Sequence, residues 1–193
     1  VIHKPVEMLS VPGINIKDSV YSRMKEKYPN STGPLVVHRL DMATSGLMLI
    51  AKNKETHKHL QRQFIKRSIK KRYVAILDGL IEKNKGIIDL PLRVDLDDRP
   101  RQVVCYEYGK SGRTLWKVVE RTEQHTRIHF YPITGRTHQL RVHAAHSSGL
   151  NTPILGDDLY GQKAKRLFLH AERLEIIHPK SKEVMIFEKT AEF

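Results

Sequence analysis

The sequence is poor in the residues from which several common sites and anchors are built. It has one cysteine, Cys105, among 193 residues, which excludes an internal disulfide framework and a cysteine zinc site. Its longest continuous apolar run, residues 47–51, is strand-sized, far below the roughly 18 apolar residues of a membrane-spanning helix. Internal repeats, low-complexity tracts and a glycine-rich phosphate loop are also missing, which argues against a nucleotide-cofactor fold.

Acidic residues are the scarcer charged class. The chain has 21 Asp and Glu against 34 Lys and Arg, a net charge of +13 with His neutral. A positive excess of this size favours a polyanionic partner, such as RNA, DNA or an anionic membrane surface. A basic surface kept for solubility is the simpler alternative, and charge alone does not choose between them. With 39% hydrophobic and 28% charged residues, the composition is typical of a globular domain.

The hydrophobic pattern predicts many strands and about three helices, without regular alternation. Asp18 is predicted to cap a short helix, and Asn53 a second helix over residues 54–66. Further predictions are strands over residues 35–37, 73–77, 115–119, 127–131 and 168–177, and a helix over residues 138–148. This order favours an α+β fold with a large, mostly antiparallel sheet over a doubly wound parallel one.

The first unusual segment is a polar turn between two apolar runs, residues 38–46 (HRLDMATSG). Asp41 is its only carboxylate, and no other acid lies between Glu26 and Glu55. Neighbouring cations favour the ionised form of such a group, and an ionised carboxylate in a fixed orientation can act as a nucleophile. An aspartate that caps the turn through backbone hydrogen bonds is the alternative.

Two further segments concentrate cations. Residues 70–73 (KKRY) place three cations before a tyrosine, which suits a phosphate-rich ligand whose base stacks on the ring, although an ordinary core tyrosine gives the same pattern. Residues 134–143 (TGRTHQLRVH) lead into the predicted helix, where backbone donors beside Arg136 and Thr137 suit an anion. His138 and Arg141 are predicted to share one face of that helix, and no acid follows before Asp157.

Metal binding is the other interpretation of the histidines in this helix, His138, His143 and His146. No carboxylate or cysteine accompanies them at a spacing typical of a zinc site. Because the chain has 11 histidines, some clustering arises by chance. We therefore expect no metal.

In this order, the three segments resemble the motifs of the RluA-type pseudouridine synthase family. Residues 38–47 (HRLDMATSGL) resemble the catalytic motif, residues 71–73 (KRY) with Ala75 and Gly79 the second, and residues 135–143 (GRTHQLRVH) the third. Further agreement lies in Lys4-Pro5, residues 153–157 (PILGD), Tyr160-Gly161, residues 169–171 (LHA) and His178-Pro179. The resemblance covers nearly the whole chain.

The resemblance implies an α+β fold with a long mixed, largely antiparallel sheet and a cleft across it. It implies isomerisation of uridine to pseudouridine in structured RNA, without a metal or organic cofactor. The family's catalytic aspartate falls on Asp41, its active-site tyrosine on Tyr73, and the arginine that pairs with the aspartate on Arg141. The RNA-binding residues expected on this basis are His38, Arg39, Lys71, Arg72, Arg136, Thr137 and His138, and the expected apolar wall of the base pocket is Leu40, Leu140 and Val142.

The implied reaction breaks the bond between uracil N1 and the sugar, turns the base and rejoins it through C5. The target nucleotide must first leave its stack, and Arg39 matches the residue that helps to displace it. Asp41 then attacks the sugar at C1′, adds to C6 of the base or removes a sugar proton, and the sequence leaves these three routes open. Tyr73 offers a ring for stacking on the uracil and a hydroxyl that could take part in the final removal of the C5 proton. We favour stacking, since a tyrosine hydroxyl near its reference pKa of about 10 is a poor base at neutral pH.

Three other functions share parts of this pattern. A non-catalytic RNA-binding or chaperone-like protein would use the basic surface but gain nothing from a carboxylate among its cations. A base-flipping glycosylase would also use an aspartate, but it would release free base. A DNA-binding protein is disfavoured because the sequence has no helix-turn-helix or zinc-finger spacing.

The expected setting is a cytoplasmic monomer that acts on ribosomal RNA, a tRNA stem-loop or both, with no membrane partner. Residues 99–106 (RPRQVVCY) resemble the subset of the family that modifies large-subunit ribosomal RNA and a tRNA anticodon stem-loop. We expect one catalytic domain over residues 1–193, shortened at its start and without the small RNA-binding module that many family members carry there.

Overall fold

The computed structural model describes residues 1–193 and contains ten strands and three α-helices. Two compact units are present, one formed by Val1–Lys71 with Ala171–Glu192, the other by Arg72–His170 with Phe193. We call them the first and second unit. The strands are β1 (Ile2–Lys4), β2 (Ser45–Met48), β3 (Lys70–Leu77), β4 (Lys85–Asp89), β5 (Leu92–Val94), β6 (Gln102–Val104), β7 (Arg113–Arg121), β8 (Thr126–Pro132), β9 (Leu169–Ile177) and β10 (Val184–Glu188), and the helices are α1 (Val20–Lys27), α2 (Lys54–Ile65) and α3 (Gln139–Ala145).

The first unit has the strand order β1-β2-β9, with β10 paired to β9. Strands β1 and β2 are antiparallel, as are β9 and β10. Gly46 lets β2 approach β9 closely, because its φ is 125° and a Cβ there would overlap the backbone of Ala171. Strand β2, which follows the 38–44 turn, is thereby fixed at the centre of this unit.

A hydrophobic cluster joins helix α2 to the strands of the first unit. Asn53 caps α2 by accepting the Thr56 N–H at 2.8 Å, so the helix begins where the sequence predicted. Its apolar stripe, which includes Leu60 and the half-buried Phe64, then faces the core. The buried members of the cluster are Leu47, Leu49, Ala51, Leu60, Ile69, Leu174 and Ile176.

The second unit has the strand order β3-β8-β7-β4, with antiparallel pairing throughout. Tyr73 lies opposite Phe130, and Ala75 opposite Ile128, on a face that is otherwise fully buried. Strands β5 and β6 form a separate antiparallel hairpin, in which Leu92 lies opposite Val104. Helix α3 completes this unit and carries the third predicted motif.

The α+β fold class is confirmed. Both units combine helices with strands, and antiparallel strand pairs predominate in each. The predicted pairing of runs 115–119 and 127–131 is also confirmed, since Leu115 lies opposite Tyr131 in β7 and β8. No helix has the combination of length and apolar character needed to cross a bilayer.

Three local predictions are wrong. Ser19, not Asp18, caps α1, because its hydroxyl accepts the Ser22 N–H while Asp18 pairs with Arg23. Residues 35–37 form no strand, and only an isolated bridge between Val36 and Ile50 is present. Helix α3 spans Gln139–Ala145 rather than residues 138–148, because the backbone on either side of it, at residues 138 and 146, is not helical.

Candidate active site

The turn that carries Asp41 is held through its backbone. The buried Ser10 hydroxyl donates to the Leu40 carbonyl at 2.6 Å and accepts the Leu40 N–H at 3.0 Å. On the other side, the Thr44 N–H donates to the Asp41 carbonyl at 3.1 Å. Leu40 is buried and Asp41 half-buried. Hydrogen bonds to backbone groups thus fix the main chain around Asp41, and its carboxylate takes no part in them.

Lys4 supplies a buried cation beside this turn. Its ammonium donates to the carbonyls of Pro5, Met8 and Met42, at 2.8, 2.8 and 2.9 Å. Burial lowers the pKa of Lys4 to about 8, and the negative charge of Asp41 opposes part of that lowering. Lys4 is therefore still protonated at neutral pH and places a positive charge beside the turn that carries Asp41. The sequence had marked Lys4 only as part of the resemblance, with no role.

His38, predicted to bind RNA, is a neutral ring that holds the turn. Its Nε2 accepts the Leu49 N–H at 3.0 Å, and its ring centroid lies 4.6 Å from that of Phe64. Burial, with a smaller effect from Lys71, lowers the pKa of His38 to about 3. RNA binding by His38 stays a prediction, and any such contact would involve a neutral ring rather than a positively charged one. Arg39, the next residue, is exposed.

The cations of β3 differ in their surroundings. Lys70 is exposed and forms an ion pair with Glu175 at 2.6 Å. Lys71 is half-buried, and burial, together with the charge of Arg67, lowers its pKa to about 8. In the second unit, Arg72 and Tyr73 are both half-buried near the start of β3. As neighbours in a strand they lie on opposite faces of the sheet, and Tyr73 shares the face of Ala75 and Leu77.

Arg141 is buried in α3 and held by two carboxylates. Its Nε donates to Oδ2 of Asp157 at 2.8 Å, and its Nη2 donates to Oδ1 of Asp157 at 2.5 Å and to Oδ1 of Asp158 at 3.1 Å. Asp157 is fully buried and also accepts the N–H groups of Leu159 and Tyr160. The sequence had treated Asp157 only as the next acid along the chain. The fold makes it the residue that orients Arg141, while pairing of Arg141 with Asp41 stays a prediction.

The residues before α3 are arranged differently from the predicted anion site. The Arg136 N–H already donates to Oε1 of Gln139 at 3.0 Å, and the Arg136 side chain donates to the Ser111 carbonyl. Thr137 is exposed, whereas His138 is buried with a left-handed φ of 52°. The N–H groups of Arg136 and Gln139 are thus already paired, and anion binding at the start of this short helix stays a prediction. The two wall candidates of α3, Leu140 and Val142, are buried as expected.

The histidines of α3 do not form a metal cluster. His143 is fully buried with Nδ1 at 3.0 Å from the Thr114 hydroxyl, and burial lowers its pKa to about 4. Across residues 1–193 no group of three or more His, Cys, Asp or Glu side chains is placed to hold a metal ion. His143 therefore serves the packing of α3 against β7.

Comparison with known proteins decides the family. A family model described as RNA pseudouridylate synthase matches residues 1–146, which include all three predicted motifs. The chain belongs to the RNA pseudouridine synthase family. The recognition made from the motifs is thereby confirmed, as is assignment to an isomerase that acts on RNA.

Curated relatives match this synthase over its whole length. The dual-specificity RNA pseudouridine synthase RluA of Yersinia pestis is 45% identical, covering 100% of this chain and 95% of its own. The protein of the same name from Escherichia coli K12 is 46% identical, covering 100% of this chain and 89% of its own.

Solved structures agree with this assignment at lower sequence identity. The human RNA pseudouridylate synthase domain containing 1 protein has a TM-score of 0.79 and 26% identity, covering 99% of this synthase and 79% of that chain. The human domain containing 4 protein has a TM-score of 0.77 and 26% identity, covering 98% and 84%. The fold of this synthase is therefore that of pseudouridine synthase catalytic domains.

Two histidines with strongly lowered pKa values predict that this synthase loses stability in mild acid. His38 and His143, with pKa values of about 3 and 4 when folded, take up a proton near pH 6.5 when unfolded. The unfolded chain therefore binds more protons between pH 6.5 and 4, so the free energy of unfolding falls as the pH falls. Each histidine should contribute a loss of ~1–2 kcal/mol between pH 7 and pH 5.

Urea denaturation at pH 7, 6 and 5 measures this loss. Lys4 and Lys71 do not contribute in this window, because both are protonated in the folded and unfolded states below about pH 7. His38→Gln should remove about half of the pH dependence, whereas the control His125→Gln, at a partly exposed position, should not change it. A stability curve that stays flat from pH 7 to pH 5 would contradict the prediction.

Proposed function

We propose that this synthase isomerises specific uridines of ribosomal RNA, tRNA or both, with Asp41 acting on a nucleotide flipped out of its stack. The observation that carries the proposal is the turn 38–44. There a single carboxylate, half-buried and next to the buried cation of Lys4, is held by backbone hydrogen bonds on both sides. This arrangement fixes the main chain of Asp41 and leaves its carboxylate oxygens available to a substrate.

Each route proposed for Asp41 requires the ionised carboxylate. Attack at C1′, addition to C6 and removal of a sugar proton all need an electron pair on the Asp41 oxygen. The ammonium of Lys4 donates to three carbonyl oxygens rather than to Asp41. The Asp41 oxygens therefore stay available to the substrate.

The remaining catalytic roles are proposed from the motifs and from the surroundings of each residue. Tyr73 stacks its ring on the uracil. Arg141 supplies a fixed cation that stabilises the negative charge developing on the substrate. Arg39 fills the gap left by the flipped nucleotide. The apolar wall of Leu40, Leu140 and Val142 keeps the detached base from water, and the flanking phosphates are bound by Lys71, Arg72, Arg136, Thr137 and His138.

The choice of RNA is proposed from the relatives and from one segment of the chain. Both quoted relatives are named dual-specificity enzymes, and residues 99–106 follow the pattern of that subset. We expect a cytoplasmic monomer that acts as one catalytic domain. The test is to map pseudouridines in unmodified large-subunit ribosomal RNA and tRNA transcripts after incubation with the purified chain. Modification at defined sites in one or both supports the proposal, and random or absent modification would overturn it.

The proposed stacking role of Tyr73 predicts different outcomes for two substitutions. Tyr73→Phe keeps the ring and should retain turnover within about threefold of wild type. Tyr73→Leu loses the stacking surface and should lower turnover by at least about tenfold, given the ~1–3 kcal/mol that a base–aromatic stack contributes. Release of tritium from [5-³H]uridine in a stem-loop transcript measures both. If Tyr73→Phe is as inactive as Tyr73→Leu, the hydroxyl rather than the ring carries the function.

A further inference from the structure

Tyr160 lies at the centre of a network that includes Arg141. It follows Asp157 by three residues, and its N–H donates to Oδ1 of Asp157 at 3.1 Å. The same carboxylate oxygen accepts Nη2 of Arg141 at 2.5 Å. The backbone of Tyr160 is therefore fixed to the group that orients the arginine.

The ring of Tyr160 also contacts the arginine directly. The guanidinium carbon of Arg141 lies 5.3 Å from the centroid of the ring, within the range of a cation–π interaction. Asp157 contacts the guanidinium along its edge through two hydrogen bonds. An edge contact and a face contact together define the plane of the guanidinium group, which one carboxylate alone does not fully restrict.

The hydroxyl of Tyr160 connects two other elements. It accepts the N–H of Gln102, the first residue of β6, at 2.7 Å. Its oxygen also lies 2.8 Å from Nδ1 of His138, the residue that precedes α3. Tyr160 thus links the β5–β6 hairpin to the start of α3.

The hairpin itself is not a cationic surface. Its tip, residues 95–101, has three aspartates and two arginines, and Arg101 pairs with Asp98 at 3.1 Å. Between the hairpin and α3 lies a cavity of about 560 Å³, whose lining includes Asp95, Asp98, Arg101 and Tyr160. The link through the Tyr160 hydroxyl therefore attaches the start of α3 to the hairpin rather than presenting a phosphate-binding surface.

We propose that Tyr160 is a positioning residue for pseudouridine formation, acting through its ring on Arg141 and through its hydroxyl on the start of α3, the helix that carries Arg141. This inference rests on the proposed function of the site and assigns Tyr160 a part in it. The two ends of one side chain then have separable effects. Loss of the hydroxyl loosens the attachment of α3 and lowers the stability of the fold, and loss of the ring slows the chemical step.

Single-turnover kinetics with Tyr160→Phe and Tyr160→Leu test the proposal. With enzyme in excess over a [5-³H]uridine stem-loop transcript, the enzyme concentration at half-maximal rate reports RNA binding, and the limiting rate constant reports chemistry. Tyr160→Phe keeps the ring and should leave the limiting rate and the half-maximal concentration within about twofold of wild type, with a lower urea midpoint from the lost hydrogen bonds. Tyr160→Leu should lower the limiting rate about tenfold, with a half-maximal concentration within about threefold of wild type.

A merely structural role predicts a different result. Loss of folded enzyme lowers the active concentration and the urea midpoint but leaves the limiting rate constant unchanged, and that outcome in Tyr160→Leu would overturn the proposal. Equal limiting rates for the Phe and Leu variants would overturn it as well. Should Tyr160→Leu not fold, Tyr160→Met replaces it, and Tyr131→Phe on β8 serves as the control.

The experiment also separates this inference from the proposed function. If wild type releases no tritium, the proposed function fails, and the inference fails with it. If wild type reacts and both Tyr160 variants match it in binding and rate, the inference alone is overturned.

Discussion

Asp41→Asn is expected to abolish pseudouridine formation, lowering turnover by about four orders of magnitude or more, as removal of an essential nucleophile does in other enzymes. The amide has nearly the same shape but has no charge and is a poor nucleophile. The fold should survive, because the turn is held by the Asp41 carbonyl and by Leu40 rather than by the carboxylate. RNA affinity should be equal to or slightly higher than that of wild type, since a negative charge has been removed.

Three measurements on the same sample check this expectation. They are tritium release from labelled RNA, filter binding of the RNA and the urea midpoint. Asp18→Asn is the matched control, because Asp18 is an exposed aspartate of the same unit, paired with Arg23 outside the motif. Turnover by Asp41→Asn above about one per cent of wild type would contradict the role given to Asp41. Loss of RNA binding would instead place Asp41 in recognition.

Arg141→Ala is expected to be the most destabilising of the variants considered. Asp157 is fully buried, and without the guanidinium its charge would lose its bidentate partner. Removing one member of a buried ion pair typically costs about 3–5 kcal/mol. For the molecules that remain folded, turnover should fall more than RNA affinity, because Arg141 is proposed to act in the chemical step. The free energy of unfolding in urea and the single-turnover rate constant measure these two effects separately.

The two carboxylates that hold Arg141 provide an internal control. Asp158→Asn removes only the exposed partner and should cost less than about 1 kcal/mol, as surface ion pairs usually do. Arg141→Lys keeps the charge but cannot donate two parallel hydrogen bonds, so it should fold better than Arg141→Ala and still lower turnover. If Arg141→Ala unfolds at the wild-type urea concentration, the buried pair does not hold this part of the protein together.

Elements with strong local signals were predictable from the sequence. Helix α2 begins at Asn53, as predicted, because an asparagine side chain that accepts an N–H three residues later is a purely local device. The wrong cap of α1 shows the limit of that rule, since Asp18 and Ser19 are both good caps. The ion pair of Asp18 with Arg23 leaves the serine to cap the helix. The apolar run at residues 35–37 forms one isolated bridge and no continuous strand pairing, a distinction that hydrophobic periodicity does not reveal.

The candidate site was predictable as motifs but not as a set of contacts. Sequence reasoning identified Asp41, Tyr73 and Arg141, yet it assigned no role to Lys4, Asp157 or Tyr160. Lys4 reaches the carbonyl of Met42, 38 residues away, and Arg141 reaches Asp157 across 16 residues. Such partners are set by the packing of elements that are distant in sequence. Asp157 and Tyr160 carried one available signal, because both lie in segments that match the family beyond the three motifs.

The charge state of His38 was likewise not predictable from the sequence. In the sequence, His38 is one more basic residue in a cationic segment, and RNA binding was its natural interpretation. In the structure it accepts a backbone N–H and packs on Phe64, so burial keeps it neutral. A histidine beside residues proposed to bind phosphate thus serves the turn that carries Asp41, and only its surroundings in the fold reveal this.

The most direct test of the account is a balance of products from one labelled uridine. The purified chain is incubated with a stem-loop transcript carrying [5-³H]uridine, and tritium release, pseudouridine and free uracil are measured together. The account predicts that released tritium equals the pseudouridine formed, with no free uracil, and that Asp41→Asn gives neither. Release of free uracil, or pseudouridine formation that persists in Asp41→Asn, would contradict it.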